Sequence, residues 1–260
     1  MDKRFQNILI LSDFDGTFAG KNGRIVPENI EAIEYFKSRG GHFSFSTGRL
    51  PSVLAQIYPD FIKTANAPAI MSNGAVIYDV KTNTVIKETF FDGKRGRIVA
   101  NDILNTFSDF TFTVYSDDGE MQDGVSPDDA VGEKWRKMRY HCYDTDTFLS
   151  CRDYVSKKYK NEFNSFRSWH TIFEMVDINS NKGLGVKFIR DYYIKKGFIN
   201  IKVFCIGDFE NDIDMLKAAD VAFCPDNAVD EIKKISNHIV CNHDDGAISD
   251  MIALIEEKYI

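Results

Sequence analysis

At 260 residues, 43% apolar and 27% charged, the chain has the composition of an ordinary globular protein, with length for one large domain or two modest ones. Its formal net charge of −7 argues against nucleic acid, an anionic membrane surface or polyphosphate as a principal partner. No run approaches the roughly eighteen consecutive apolar residues of a membrane span, and Met1-Asp2-Lys3-Arg4-Phe5 leads into an apolar run too short for a secretory signal.

The first predicted element is a strand. Ile8-Leu9-Ile10-Leu11 is a continuous apolar run, as in a strand buried on both faces, and it ends in Ser12-Asp13-Phe14-Asp15-Gly16-Thr17. Alternation along a strand puts Asp13 and Asp15 on one side. Two carboxylates so placed repel each other unless one is neutral or a cation sits between them. The four fixed letters of D-x-D-G-T arise by accident in roughly one chain of this length in a few hundred. An EF-hand calcium loop is a poor reading, because its sixth position would be Phe18, its twelfth Arg24, and a strand precedes it.

Val26-Pro27-Glu28-Asn29 then opens a helix with Ile30, Ile33 and Phe36 on one face, closed by Gly40-Gly41. Phe43-Ser44-Phe45-Ser46-Thr47-Gly48-Arg49 reads as a strand ending in hydroxyls, and a helix is expected from about Ser52. A short strand at Ala69–Met71 leads to Ser72-Asn73-Gly74-Ala75, and 76–87 alternates around Lys81-Thr82-Asn83 as a hairpin. The character changes from about Thr89. Helical patterns at 97–107 and 148–159 mix there with strand-like runs at 110–116 and 169–176, and the abundant Phe and Tyr are expected to form a second core. Beyond Lys182 a helix at 184–193 restarts the strand–helix alternation. A second strand, Ile201 to Ile206, then runs into Gly207-Asp208-Phe209-Glu210-Asn211-Asp212, and Ile213, Met215, Leu216 and Ala219 follow at helical spacing. Alone this acidic cluster is an ordinary helix start. Paired with the first motif it reads as the other wall of one metal site. The five cysteines (Cys142, Cys151, Cys205, Cys224, Cys241) are odd in number and scattered, with Cys205 and Cys224 expected to be buried, so the cytoplasm is the expected compartment.

Together these motifs resemble those of the haloacid dehalogenase superfamily of phosphohydrolases, in its Cof-like branch with an α/β cap of type IIB. Four carry the resemblance in order: Asp13 to Thr17, Phe43 to Arg49, Asn181-Lys182-Gly183, and Gly207 to Asp212, with Asn73-Gly74-Ala75 similar to the family's turn beside the phosphate. The resemblance implies an α/β fold, a Rossmann-like core with a mostly parallel sheet interrupted by an α+β cap. The expected division is 1–88 for the first part of the core, 89–178 for the cap and 179–260 for the rest of the core.

It also implies roles. Asp13 is the nucleophile and forms an aspartyl-phosphate. Mg²⁺ is the cofactor, with Asp13, Asp15, Asp208 and Asp212 as the metal set. Asp15 lends its backbone carbonyl and leaves its side chain free as acid and then base. Asp212 supports the metal's water shell or holds Lys182. Lys182 offsets charge on Asp13 and the phosphate. Thr47, Gly48, Arg49, Asn73, Gly74 and Asn211 contact the substrate, with Arg49 and Asn73 open between that and a structural hydrogen bond. His243 is read as a plain loop residue. Two departures from the family bear on the substrate: Cys224-Pro225 stands where a Gly often precedes Asn227-Ala228, and the acidic-then-basic stretch 117–139 carries no recognisable specificity signature. The expected activity is hydrolysis of small phosphomonoesters, sugar phosphates foremost. A phosphosugar mutase or phosphotransferase on the same scaffold, and an inactive ligand-binding homologue, are the alternatives.

Overall fold

The computed structural model describes residues 2–107, 109–117 and 121–260. The chain divides into two compact units, Met1–Lys87 with Lys182–Ile260, and Glu88–Asn181. The first unit is built on a five-stranded parallel sheet. Its strands run in the spatial order His238–Val240, Val221–Pro225, Lys202–Ile206, Ile8–Ser12 and His42–Phe45. Ile8–Ser12 is buried at every position because both of its faces are covered. Ile8 and Ile10 pack toward the helices Pro27–Ser38 and Ala247–Tyr259 through Ile33, Phe36, Ile248 and Met251. Leu9 and Leu11 face the opposite layer, where Val186 and Ile189 of the helix Lys182–Lys195 join Met215 and Leu216 of the helix Ile213–Ala218. A three-stranded sheet, Ala69–Met71, Val76–Asp79 and Thr84–Glu88, abuts this sheet through a bridge between Ser46 and Ile70. The helix expected near Ser52 begins at Pro51, whose fixed φ and missing N–H suit a first helical position.

The second unit is an antiparallel sheet in the order Phe163–Trp169, Ile172–Asp177, Lys134–Cys142, Phe110–Ser116 and Met121–Asp123, with Phe91–Asp92 paired to Lys134–Trp135. The helices Gly93–Thr106 and Thr145–Lys158 lay Val99, Ile103, Phe148 and Val155 against Phe112, Met138, Tyr140 and Phe173. Asp92 and Asp144 cap these helices by accepting the N–H groups of Arg95 and Thr147. The sequence read 169–176 as one strand. Trp169 instead ends one strand, and the chain turns at His170-Thr171 into Ile172–Asp177. That turn contains none of the Gly, Asn or Pro residues that announce a hairpin. Within the stretch 117–139, positions 118–120 lie outside the described residues. The remainder contributes to ion pairs of the second unit, Arg136 with Glu88, the buried Lys137 with Glu174, and Arg139 with Asp123. Among the described residues no helix is long and apolar enough to cross a membrane.

Candidate active site

Three parallel strand ends bring the acidic motifs together. Ser12 is in register with Ile206 on one side and Phe45 on the other, so Asp13, Gly207-Asp208 and Ser46-Thr47 leave the sheet side by side. The chain reaches the two neighbours of Ile8–Ser12 by crossing in opposite directions, which makes this edge the topological switch point where open α/β sheets bind ligands. Asp13 continues the Leu9, Leu11 alternation and so faces the layer that contains the Lys182–Lys195 helix.

Lys182 is the first residue of that helix, and its side chain is 0% exposed. Its Nζ donates to Asp13 Oδ1 and to Asp212 Oδ1, each at 2.6 Å. Asp212 Oδ2 accepts the backbone N–H groups of Asp208 at 3.0 Å and Phe209 at 3.3 Å. Both oxygens of Asp212 are therefore engaged, and of its two expected roles the geometry displays the holding of Lys182. This requires glycine at 207, where a Cβ would lie 2.4 Å from Asp212 Cγ. Asp208 Oδ1 accepts the Thr17 hydroxyl at 2.8 Å. Ligand oxygens of Asp13, Asp208 and Asp212 lie within 4.8 Å of one another, and all three residues are buried.

Two of the three carboxylates thus share one ammonium, and Asp208 lies beside them. Burial, with Asp212 and Asp208 adding to it, holds the Asp13 carboxyl well above the usual carboxylate range despite the pull of Lys182. Burial and the charge of Asp212 push Asp208 up to about 7, against the Thr17 hydrogen bond. Burial disfavours the charge on Lys182, yet Asp13 and Asp212 outweigh it and raise its pKa. Among the described residues no hydrogen-bond donor reaches Asp13 Oδ2 or Asp208 Oδ2, and no backbone N–H donates to the Asp15 carbonyl. Unclaimed hard oxygen donors in a cluster with excess negative charge fit a small divalent cation such as Mg²⁺.

The Asp15 side chain stands apart from this cluster. It is ion-paired: Oδ1 accepts Arg49 Nη2 at 2.6 Å and Oδ2 accepts Arg49 Nε at 2.7 Å. Thr47 is buried, and its Oγ1 accepts the Arg49 backbone N–H at 3.2 Å. The Asn73 and Ser72 N–H groups donate to the carbonyls of Thr47 and Arg49, each at 3.0 Å. Ser72, Asn73 and Gly74 carry φ values of 48°, 53° and 94°, a left-handed run that is strained at its two non-glycine positions. Gly48 packs on Asn73, and Asn211 Nδ2 reaches Asn73 Oδ1 at 3.3 Å. The residues expected at the site are thereby gathered in one unit, on four loops and the start of the Lys182–Lys195 helix.

Two residues without an expected role belong to the same framework. Thr17 orients Asp208, and its signal was present as the last letter of the first motif. Asn227 donates to the Gly16 carbonyl at 2.8 Å and accepts the His243 N–H at 3.0 Å, which ties the first motif to the loop after the Val221–Pro225 strand. His243 itself sits in a 3₁₀ turn, its ring 3.7 Å from Asp244.

The haloacid dehalogenase-like hydrolase family model matches residues 10–252. The chain belongs to that family. Among curated relatives of this haloacid dehalogenase-like hydrolase, a 5-amino-6-(5-phospho-D-ribitylamino)uracil phosphatase of Bacillus subtilis is 23% identical, with 92% of this chain and 95% of the relative covered. A phosphoglycolate phosphatase of Thermoplasma volcanium is 27% identical, covering 89% and 90%. A solved subclass IIB sugar phosphatase of the superfamily superposes with a TM-score of 0.78 at 18% identity, over 95% of this chain and 98% of that one. A haloacid dehalogenase-like hydrolase from B. subtilis superposes with a TM-score of 0.77 at 18% identity, over 94% and 98%. Family and relatives together make the chain an enzyme of the phosphatase kind.

Proposed function

We propose that this enzyme is a Mg²⁺-dependent phosphomonoester hydrolase that works through an aspartyl-phosphate on Asp13 and takes small phosphorylated metabolites, sugar phosphates foremost. The observation that carries the reading is the buried Lys182 bridge, which fixes Asp13 at a strand end and leaves its second oxygen without a donor among the described residues. A carboxylate so held is aimed but not neutralised. In the first half-reaction an Asp13 oxygen bonds to phosphorus, the phosphorus–ester oxygen bond breaks, and the leaving oxygen takes a proton from Asp15. In the second, water gives a proton to Asp15 as its oxygen bonds to phosphorus, and the Asp13–phosphorus bond breaks to release phosphate. Lys182, the Thr47 hydroxyl and the N–H groups around Gly48 offset charge on the phosphoryl oxygens. Asp13, Asp208 and the Asp15 carbonyl would hold the cation, which supplies the neutralisation that lets a carboxylate approach a phosphate dianion.

The relatives' names support the substrate class, since each is a phosphatase of a small metabolite. We take Glu88–Asn181 as the inserted cap and the other unit as the catalytic core. The absence of disulfides among the five cysteines suits a cytoplasmic setting. The test is phosphate release from a panel of sugar phosphates and phosphorylated small acids, with Mg²⁺ and with chelator. Release is expected only with the cation and is lost on the order of 10⁴-fold or more in Asp13→Asn. Activity surviving that substitution would remove Asp13 as nucleophile. Isomerised sugar phosphate without free phosphate would make the enzyme a phosphotransferase.

A further inference from the structure

We propose that Arg49 is a positioning residue that holds the Asp15 carboxyl at the site in the orientation proton transfer needs. The inference rests on the reading of Asp15 as proton carrier. Asp15 leads into a glycine-directed turn (Gly16 has φ 82°), and its side chain is 46% exposed, so nothing in its own packing fixes it. The like charges of Asp13, Asp208 and Asp212 repel it wherever Lys182 and the cation do not offset them. Against that repulsion stands the fork from Arg49, with Nε and Nη2 each on a separate carboxyl oxygen. Two parallel bonds fix the plane of a carboxylate as well as its place, which a point-charge ammonium cannot do.

Arg49 is in turn anchored. Its N–H is on Thr47 Oγ1, and its carbonyl accepts from Ser72, a residue held in the left-handed region. The second motif thereby acts on the first through a rigid loop. An ion pair this exposed contributes little to folding stability, so stability is not the reason for its geometry.

The test uses the Mg²⁺-supplemented protein and two phosphomonoesters that differ in their need for an acid. Nitrophenolate leaves p-nitrophenyl phosphate without protonation, whereas the alkoxide of glycerol phosphate requires it. We compare kcat/KM, which covers the steps up to loss of the leaving group. In Arg49→Ala the glycerol ester is expected to lose on the order of tenfold more than the nitrophenyl ester, a part of the 10²–10⁴-fold that general acid catalysis contributes. Arg49→Lys recovers part of that difference, and the melting temperature stays near the parent's. Equal losses on both esters in Arg49→Ala, with the selective loss present in Asp15→Asn, would overturn the proposal and leave the acid role of Asp15 standing. Equal losses in Asp15→Asn as well would take down that role, and the proposal with it.

Discussion

Replacing Lys182 by Met tests the charge balance at the centre of the site. Methionine keeps most of the volume and removes the ammonium, so the helix start stays packed while two carboxylates, 8% and 1% exposed, lose their shared partner. Breaking a buried pair from one side costs about 3–5 kcal/mol, because the remaining charge is left buried and uncompensated. Serving two carboxylates puts Lys182 at the upper end, about 5 kcal/mol. At roughly 2–4 °C per kcal/mol for a unit of this size, the melting temperature falls by about 10–20 °C. The measurement is thermal and urea unfolding at neutral pH in the presence of chelator. Asp212→Asn in the same background removes one of the two orphaned charges, and the double-mutant cycle is expected to show coupling of about 1–3 kcal/mol. A single-variant loss below about 1 kcal/mol, or strict additivity in the cycle, refutes the argument.

Asp208→Asn removes a buried carboxylate with an unclaimed oxygen, and the Mg²⁺ concentration for half-maximal activity should rise at least about tenfold, the least that losing even an outer partner of a metal costs. An unchanged Mg²⁺ requirement would exclude Asp208 as a ligand. Gly207→Ala drives a Cβ to within 2.4 Å of Asp212 Cγ; destabilisation of about 1–3 kcal/mol by urea titration and loss of phosphate release are expected, and a variant of normal stability counts against the crowding. His42 lies edge-on to Tyr193 and Phe198, at 4.7 and 5.1 Å between ring centroids. Burial, and secondarily the charge of Lys81, lower its pKa from 6.5. A lowered folded-state pKa means that its contribution is fully present above 6.5 and is lost as pH falls through the depressed value. His42→Phe should therefore gain on the parent in melting temperature between about pH 7 and pH 5, and a pH-independent difference contradicts this.

The chemistry was legible in the sequence wherever it is written in short-range spacing. Asp13 and Asp15 two residues apart after a doubly buried strand, Gly207 to Asp212 after another, and Lys182 opening a helix all announce their elements locally, because apolar run length and Gly or Asp punctuation are properties of neighbouring residues. The bend at His170-Thr171 escaped because nothing local marks it. Partnership was the larger omission. Lys182 meets Asp13 across 169 positions of sequence, Thr17 meets Asp208 across 191, and Arg49 takes up Asp15 across 34. Such contacts follow from sheet order and parallel register, which place three strand ends side by side, and no spacing in the chain encodes which oxygen faces which donor. The sequence by itself determined that carboxylates and a lysine would converge at one site. Only the tertiary structure decided that Asp212 is engaged by Lys182 and two backbone N–H groups, and that Asp15 is gripped by Arg49, because hydrogen-bond geometry is settled by packing between distant segments.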